Sequence, residues 1–409
     1  MKEMFIMEYK FPHITHIGDV LPAIAGRDEF VVADKGAYTI INYNVMMADT
    51  FPPIETEFNS VSGSIDPMIA AMRRECRGII FNTKTGEIIR RPLHKFMNIG
   101  EREETLLHNL NFNNEHYVDV KLDGSMAAAF IDPELHRVVF GTKMCAPDFA
   151  QLIADFVADD SRSDYYVFTH SLIKDGYTPI FEYVSRKKRI VLDYPEDDLI
   201  LLAVRNMVTG EYTHKYGTFA EECGIPVVGS FSSIDDPHSF ISYVRALKGQ
   251  EGFVIRWADG HRVKAKSDEY VQIHKAKERI LQDRNIVELI LDEKLDDVKA
   301  HLPSEDRERL TKFESDFNHA IKSVVAGIYI DVQFFKSSRF GGDRKEFAIA
   351  YAPNFNSYVK PIMFSMWDKE GTREEVEDAV RNTVRNNLTK TVKYEAIRDV
   401  WFPGVKFND

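Results

Sequence analysis

The chain has 409 residues, of which 44% are hydrophobic and 28% are charged, and its net charge is −12. This length is too great for one ordinary core, so we expect two or three domains of a soluble, globular protein. The acidic balance argues against a protein that coats nucleic acid generally, because such proteins are basic, but it leaves room for a local basic groove.

Targeting and redox features of the sequence point to the cytoplasm. No apolar run approaches the ~18 residues that a transmembrane helix needs. The first residues, MKEMFIMEYKFPH, lack the apolar core of a signal peptide. The three cysteines, Cys76, Cys145 and Cys223, are odd in number and form no C-x-x-C pair, which disfavours a disulfide framework or a zinc ribbon. We therefore expect a cytoplasmic protein without a membrane partner.

The first hundred residues contain two predicted strands and one candidate site loop. Residues 37–45 and 75–81 are rich in β-branched and aromatic side chains, which is typical of strands. The segment HKFMNIGE at 94–101 mixes basic, aromatic and amide side chains and includes a glycine. This mixture favours a functional loop, although a solvated surface loop has the same composition.

The segment HYVDVKLDGSMAAAFI at 116–131 is the centre of the sequence. It predicts two strands joined in a hairpin by the turn residues Asp123 and Gly124. Val118 and Val120 alternate with Asp119 and Lys121, so Lys121 should lie on the opposite strand face from the valines. The simplest interpretation is a surface hairpin with a lysine near its tip. The pattern K-x-D-G is also the nucleophile turn of enzymes that form a lysyl–nucleotide bond.

The middle of the chain continues with strands and one amphipathic helix. Residues 137–143 and 178–184 are predicted strands, and 147–157 has the apolar spacing of a helix. Residues 199–206, LILLAVRN, are almost continuously apolar, which predicts a strand buried on both faces.

A second hairpin is predicted at 251–257 and 261–266, because an Asp-Gly turn signal joins the two runs. Its second strand places Lys264 and Lys266 on one face and Val263 on the other. Two like charges one pleat apart repel each other unless an anion lies between them. An exposed edge strand with protective lysines is the alternative.

Beyond about residue 268 the predicted structure is mostly helical, and Thr372 and Glu375 form a capping box. We place the domain boundary between 274 and 275, which gives domains 1–274 and 275–409. The predicted fold class is α+β, with antiparallel sheets and flanking helices first and a mostly helical domain after them.

Five segments in this order resemble the motifs of the covalent nucleotidyltransferases, which include ATP-dependent ligases and mRNA-capping enzymes. They are ECRGIIF at 75–81, HKFMNIGE at 94–101, KLDGS at 121–125, EGFVI at 251–255 and VKAKSDEYVQIH at 263–274. Within that superfamily the chain is most similar to phage tRNA-repair RNA ligases of the RNA ligase 1 type. The resemblance covers roughly residues 35–275, with residues 1–274 as the adenylation domain and its N-terminal extension.

The resemblance implies a role for each of ten residues. Lys121 would be the nucleophile, with Lys264 and Lys266 assisting catalysis. The nucleotide would be bound by Arg77, Lys95, Phe96, Gly124, Lys143, Glu182, Glu251, Lys264 and Lys266. Glu251 and Glu182 would also position Mg²⁺ or Mn²⁺ through water, which suits an ion that dehydrates reluctantly.

The implied reaction joins a 5′-phosphate and a 3′-hydroxyl end of RNA at the expense of ATP. AMP would pass from ATP to Lys121, then to the 5′-phosphate, and would leave when the 3′-hydroxyl attacks. Single-stranded RNA or a cleaved tRNA anticodon loop is the expected substrate. We expect a monomer, acting in the host cytoplasm if a phage encodes it, with the helical domain as a candidate for RNA selection.

Three alternatives compete with this interpretation. A DNA ligase or a capping enzyme should follow the last motif with an OB-fold of short strands, whereas helix follows here. A nick-sealing RNA ligase of the second type also has a helical C-terminal domain, but it lacks the long segment that precedes the lysine. A non-catalytic RNA-binding relative would not need the intact Lys121, Glu182, Glu251, Lys264 and Lys266.

Overall fold

The computed structural model describes residues 9–54, 65–159, 162–186, 189–213, 215–337 and 343–407. The chain separates into two compact units, Met1–Val271 and Gln272–Asp409. The first combines antiparallel sheets with helices and the second is helical, so the predicted α+β class is confirmed. Across the described ranges, no helix is long and apolar enough to cross a membrane.

The strands and helices of the first unit alternate along the chain. The strands are β1 (Phe30–Asp34), β2 (Tyr38–Tyr43), β3 (Ile79–Asn82), β4 (Ile88–Arg90), β5 (His116–Lys121), β6 (Ser125–Ile131), β7 (Val138–Gly141), β8 (Tyr177–Val184), β9 (Asp198–Asn206), β10 (Tyr212–Thr213), β11 (Ser230–Ser232), β12 (Gly252–Trp257) and β13 (Arg262–Lys266). The helices are α1 (Ile17–Ile24), α2 (Pro67–Glu75), α3 (Pro147–Val157), α4 (Asp164–Lys174), α5 (Gly217–Glu222), α6 (Pro237–Ala246) and the start of α7 (Asp268–Arg279).

These strands form three antiparallel sheets. The first has the order β1-β2-β3-β4, the second β10-β9-β8-β6-β7, and the third β11-β5-β12-β13. The second sheet packs α3 and α4 on one face around Phe140, Phe168 and Phe181. The third sheet packs Val118, Ile255 and Val263 against α6.

The predicted hairpin around Lys121 is wrong in one respect. β5 and β6 have the predicted positions, but they do not pair, because β5 belongs to the third sheet and β6 to the second. The segment Leu122–Gly124 therefore crosses from one sheet to the other. Local alternation predicts a strand correctly, but it carries no information about which distant strand will pair with it.

Two further expectations differ from the structure. The strand predicted at 75–81 begins only at Ile79, because Glu75 ends the unpredicted helix α2. β9 meets its expectation only in part: partly buried and buried side chains alternate from Asp198 to Leu202, whereas residues 203–205 are all buried, as expected. By contrast, the helix at 147–157 and the hairpin of β12 and β13 are confirmed.

The second unit consists of helices packed around one apolar core in its described part. They are the rest of α7, α8 (Asp283–Leu291), α9 (Leu295–Lys299), α10 (Ser304–Ser337), α11 (Arg344–Ala350), α12 (Val359–Ser365), α13 (Arg373–Asn387) and α14 (Thr391–Trp401). α10 has 34 residues and buries a stripe at steps of three and four, running from Leu310 to Phe335. The predicted capping box at Thr372 and Glu375 starts α13.

Candidate active site

A cavity of about 370 Å³ in the first unit collects almost all of the predicted site residues. The predicted residues in its wall are Arg77, Lys95, Phe96, Lys121, Gly124, Lys143, Glu182, Lys264 and Lys266. Glu251 does not line the cavity, but its buried carboxylate contacts two of these lysines. Six of the predicted residues in the wall are cations, and together they make the cavity strongly positive in an acidic protein.

The third sheet supplies one wall of the cavity through strand register. Lys121 of β5 and Lys266 of β13 both lie opposite Gly252 of β12. These three residues form one row across the sheet. In the next row with the same orientation, Val254 of β12 lies between Asp119 of β5 and Lys264 of β13. Because residues two apart share a strand face, these rows stack on the side that faces the cavity.

Glu251 joins the two lysines of the first row. Its Oε1 atom lies 2.9 Å from Lys121 Nζ and 2.9 Å from Lys266 Nζ, and its side chain is 2% exposed. Gly252 follows with φ of 137°, and a Cβ there would lie 2.0 Å from Ala265 O. Only glycine fits this position, and the backbone it permits holds Glu251 beneath the lysine pair.

The turn after Lys121 is fixed by the carboxylate of Asp123. Oδ1 accepts a hydrogen bond of 2.6 Å from the Tyr270 hydroxyl. Oδ2 accepts bonds of 2.7 and 2.6 Å from the backbone nitrogens of Val191 and Leu192. The Asp123 backbone nitrogen donates to the Tyr194 hydroxyl at 2.9 Å. These buried bonds prevent the turn from moving independently of its surroundings.

Lys264 is the most strongly perturbed cation of the site. Burial, together with the positive charges of Lys95, Arg77, Lys121 and Lys266, lowers its pKa to about 7. Its Nζ atom lies 5.5 Å from the ring centroid of Phe96. A bound polyphosphate would reverse this perturbation, because an anion nearby favours the ammonium form.

A second group of cations surrounds Tyr43. Lys95 Nζ lies 3.4 Å from the Tyr43 hydroxyl, and Lys143 Nζ lies 5.2 Å from the ring centroid. Burial acts to raise the pKa of Tyr43, but Lys95, Arg77 and Lys143 hold that pKa below its ordinary value. Burial also lowers the pKa of Lys143, and Arg77 adds to that effect. This group has the charge to hold a chain of phosphates.

Glu182 is the only acidic residue among the predicted ones that faces the cavity. Burial raises its pKa to about 7, Glu251 adds to that effect, and Lys121 and Arg77 oppose it. Gly124 packs directly against β8, the strand that carries Glu182. A Cβ at position 124 would lie 2.5 Å from Tyr183 O and 3.0 Å from Glu182 Cγ. A buried carboxylate near neutral pKa can accept a hydrogen bond from a sugar hydroxyl or contact a hydrated cation.

No cluster of three or more His, Cys, Asp or Glu side chains in the described ranges could hold a metal ion by itself. Glu182 and Glu251 are the two carboxylates among the predicted site residues, and their charges interact. Such a sparse set fits Mg²⁺ or Mn²⁺ bound mainly through water and substrate phosphates, rather than through a protein cage.

Several residues of the site were not predicted from the sequence. Asp119 and Arg262 line the cavity, as does Tyr43, and Tyr270 anchors the turn. The two-residue period of a strand, which places Lys264 and Lys266 on one face, also places Arg262 on that face. The sequence therefore contained a signal for Arg262. Nothing local connects Tyr270 with Asp123, which lies 147 residues away.

Comparison with known proteins gives matches to RNA ligases. A family model described as RNA ligase matches residues 75–281. A protein of Thermovibrio ammonificans designated an RNA ligase is 27% identical over 302 residues, which cover 69% of this chain and 74% of that protein. RNA ligase 1 of bacteriophage TS2126 is 28% identical over 189 residues, or 44% of this chain and 47% of the phage protein.

Solved structures give weaker matches. An archaeal ATP-dependent RNA ligase is 12% identical and aligns with 93% of this chain and 78% of its own, with a TM-score of 0.40. This similarity is too low for any residue to be transferred from that protein. The roles of the ten residues stay predictions. The structure shows nine of them in the wall of one cavity and Glu251 in contact with two of its lysines.

We expect Tyr270→Phe to slow modification of Lys121. The change removes a hydrogen bond to a buried carboxylate, which typically contributes about 1.5–3 kcal/mol, and it frees the turn from α7. The measurement is the rate of covalent labelling by radioactive ATP, with the thermal midpoint recorded in parallel. We expect a loss of rate of about tenfold or more.

Tyr165→Phe is the matched control for Tyr270→Phe. Its buried hydroxyl donates to the backbone oxygen of Leu199 at 2.8 Å, in the core between α4 and the second sheet. It should lower stability by a similar amount and leave the labelling rate near that of the wild type. Equal slowing in both variants would mean that Tyr270 acts only through general stability.

We expect Lys264→Met to stabilise the protein more at low pH than at high pH. The folded-state pKa of Lys264 is about 7, below the ordinary 10.5, so the unfolded chain binds more protons between these values. The stability of the wild type should therefore rise with pH across this window, whereas the variant lacks the dependence. One pKa unit corresponds to about 1.4 kcal/mol, so the effect is on the order of a few kcal/mol. Thermal midpoints at pH 6 and pH 9 measure it, and a difference independent of pH would contradict the prediction.

Proposed function

Since the chain belongs to the RNA ligase family, we propose that it is an ATP-dependent RNA ligase whose nucleophile is Lys121. The observation that carries this proposal is the shared carboxylate of Glu251, which holds Lys121 and Lys266 together at the wall of a cationic cavity. Such an arrangement presents an amine to a bound phosphate and places a second cation beside the reacting centre.

In the first step, Lys121 Nζ forms a bond to the α-phosphorus of ATP as the bond to pyrophosphate breaks. The amine must lose a proton and leave its ion pair with Glu251 before it attacks. Because β5 and the anchored Asp123 fix both ends of the turn, Lys121 reaches the phosphate with little loss of freedom. Lys264 and Lys266 oppose the charge that develops on the phosphate oxygens.

The remaining cations suit the leaving group. Arg77, Lys95 and Lys143 lie around Tyr43, and burial together with Arg77 already weakens the charge of Lys143. A pyrophosphate placed here would relieve that mutual repulsion. Glu182 faces the same cavity and would accept a hydrogen bond from the ribose. Mg²⁺ or Mn²⁺, positioned through water near Glu182 and Glu251, would neutralise phosphate charge.

The later steps need an RNA with a 5′-phosphate end and a second end with a 3′-hydroxyl. AMP would move from Lys121 to the 5′-phosphate, and the 3′-hydroxyl would then displace AMP and seal the strand. A cleaved tRNA anticodon loop is the candidate substrate. The helical unit Gln272–Asp409 carries none of the predicted site residues, so we assign it the selection of RNA rather than chemistry.

Lys121→Ala should abolish covalent labelling of the protein by ATP with Mg²⁺ or Mn²⁺. Lys121→Arg should fail as well, because a guanidinium stays protonated and cannot act as the nucleophile. A denaturing gel after incubation with α-labelled ATP gives the measurement. Lys84→Ala, at an exposed turn, is the control and should label like the wild type.

Either of two results would contradict this assignment. Labelling above a few per cent in the Lys121 variants would place the nucleophile elsewhere. An unlabelled wild type would favour a non-catalytic RNA-binding relative.

A fragment that ends near residue 280 should still label itself with AMP but lose selectivity among RNA substrates. It keeps the whole cavity and α7, while it removes the core of the second unit. The comparison uses soluble fragment and full-length protein, each sealing a broken stem-loop and a linear oligonucleotide. Full retention of a stem-loop preference by the fragment would contradict a role of the helical unit in RNA selection.

A further inference from the structure

The first unit contains a second cavity, of about 720 Å³, apart from the active-site cavity that holds Lys121. Among the described residues, Arg262 alone lines both cavities. The wall of the second cavity includes the aromatic side chains of Tyr9, Phe11, Tyr117, Tyr212 and Trp257. Its volume is within the range of roughly 300–1,000 Å³ that is typical of sites for small organic groups. A flat ring is therefore the kind of group that this cavity can accept.

The third sheet gives the second cavity a fixed, flat surface. Tyr117 of β5 and Arg262 of β13 both lie opposite Arg256 of β12. The Arg256 guanidinium lies 4.3 Å from the ring centroid of Tyr117. Its Nε atom also donates to both oxygens of Asp119, at 2.9 and 3.1 Å. Because the guanidinium is held from two sides, the ring and the guanidinium offer a preorganised surface on which a base can stack.

Arg262 brings unsatisfied donors to the same wall. Its side chain is buried, and among the residues that the structure describes its Nε atom has no hydrogen-bond partner. Within the same described ranges, no carboxylate forms an ion pair with it, and its guanidinium lies 4.0 Å from the ring centroid of Tyr212. A buried arginine without a carboxylate partner destabilises a fold. A ligand with hydrogen-bond acceptors would satisfy these donors.

The second cavity also presents acceptors. Asp259 and Glu115 line it, but neighbouring groups already donate to their carboxylates. Glu211 is exposed, and its carboxylate has one contact of 3.3 Å, with the Thr209 hydroxyl, in the part of the chain that the structure describes. Glu211 can therefore accept hydrogen bonds from a ligand while Arg262 donates to it.

Two cationic or titratable side chains lie in exposed parts of the wall. They are Lys10 and His13. Across the described ranges, no hydrogen bond or ion pair engages either side chain. Exposed cations beside an aromatic cavity suit a polymer whose base enters the cavity while its phosphates stay in solvent. This combination favours a nucleic-acid strand over an uncharged aromatic ligand.

We propose that the second cavity binds one unpaired base of the RNA substrate, and that guanine is the base it prefers. This inference rests on the proposed RNA ligase function and adds a contact with the strand away from the nucleophile. Along β13, Arg262 lies four residues, or roughly 13 Å, from Lys266, which shares a row with Lys121. The bound base would thus belong to a nucleotide near the joined ends rather than at them.

Guanine is preferred because of its pattern of donors and acceptors. Its O6 and N7 atoms match an arginine fork, and its amino group can donate to a carboxylate. Adenine places an amino donor where guanine has O6, so it would oppose the donors of Arg262. Stacking on Tyr117 acts on every base and supplies affinity without choice. Arg262 and Glu211 therefore set the preference.

Binding of short RNAs without ATP tests the site separately from catalysis. Fluorescent pentamers UUGUU and UUAUU with 5′-hydroxyl ends cannot be joined, and polarisation gives their dissociation constants. The wild type should bind UUGUU at least about fivefold more tightly than UUAUU. Tyr117→Ala should weaken binding of both by roughly 10- to 100-fold. Its labelling by ATP should not change, because Tyr117 does not line the active-site cavity.

Three further variants locate the effect. Tyr117→Phe keeps the ring and should bind both pentamers like the wild type. Glu211→Gln, at an exposed position, should lose most of the preference for UUGUU while it still binds UUAUU. Tyr243→Ala is the matched control, because it removes an exposed ring from α6, outside the second cavity, and it should bind like the wild type.

The outcomes separate this proposal from the proposed function. Equal dissociation constants for the two pentamers in the wild type would overturn the proposal, as would unchanged binding in Tyr117→Ala. Displacement of UUGUU by free GMP with the affinity of the pentamer itself would assign the cavity to a free nucleotide and refute a site for RNA. By contrast, a wild type that takes no AMP label, yet binds UUGUU through Tyr117, would refute the proposed function and keep the base site.

Discussion

A buried carboxylate must be paired, and the site depends on how Glu251 satisfies that requirement. Removing one partner from such a pair leaves an uncompensated charge that costs about 3–5 kcal/mol, so the carboxylate keeps both lysines in place. Lys121 comes from β5 and Lys266 from β13, and both reach the same oxygen across β12. The ion pair therefore links the position of Lys121 to the pairing of three strands. It can form only because Gly252, which lies between Lys121 and Lys266 on β12, has no side chain.

A second buried network fixes the wall opposite this sheet. Glu75 pairs with Arg91 at 3.1 Å and with Arg205 at 2.7 Å, and all three side chains are fully buried. Arg205 also donates to Pro92 O at 2.6 Å. This network links the end of α2 with β9 and with the segment that carries Lys95 and Phe96. The segment that carries Lys95 is thus held by charge pairs whose members do not line the cavity.

Inside the cavity the cations are not paired so fully, and this imbalance is the basis of binding. The pKa values of Lys264 and Lys143 are lowered, and that of Glu182 is raised, chiefly because burial destabilises the charged form of each group. For the two lysines this cost is recovered when a nucleotide supplies the missing negative charge. The net charge of −12 disfavours non-specific attraction of phosphate by the chain as a whole.

The sequence by itself determined the strands around Lys121, the common face of Lys264 and Lys266, the set of residues that would meet and the change to helices after β13. These are local properties, because the period of a strand or helix is written in consecutive side chains. Only the tertiary structure decided that β5 and β6 enter different sheets, that Tyr270 holds Asp123, and that Arg262 lies buried beside Asp119 and Arg256. The pairs Tyr270–Asp123 and Arg262–Asp119 join residues more than a hundred positions apart, and they depend on the order of strands in a sheet. No local pattern specifies that order, since the same alternation of side chains is compatible with many pairings.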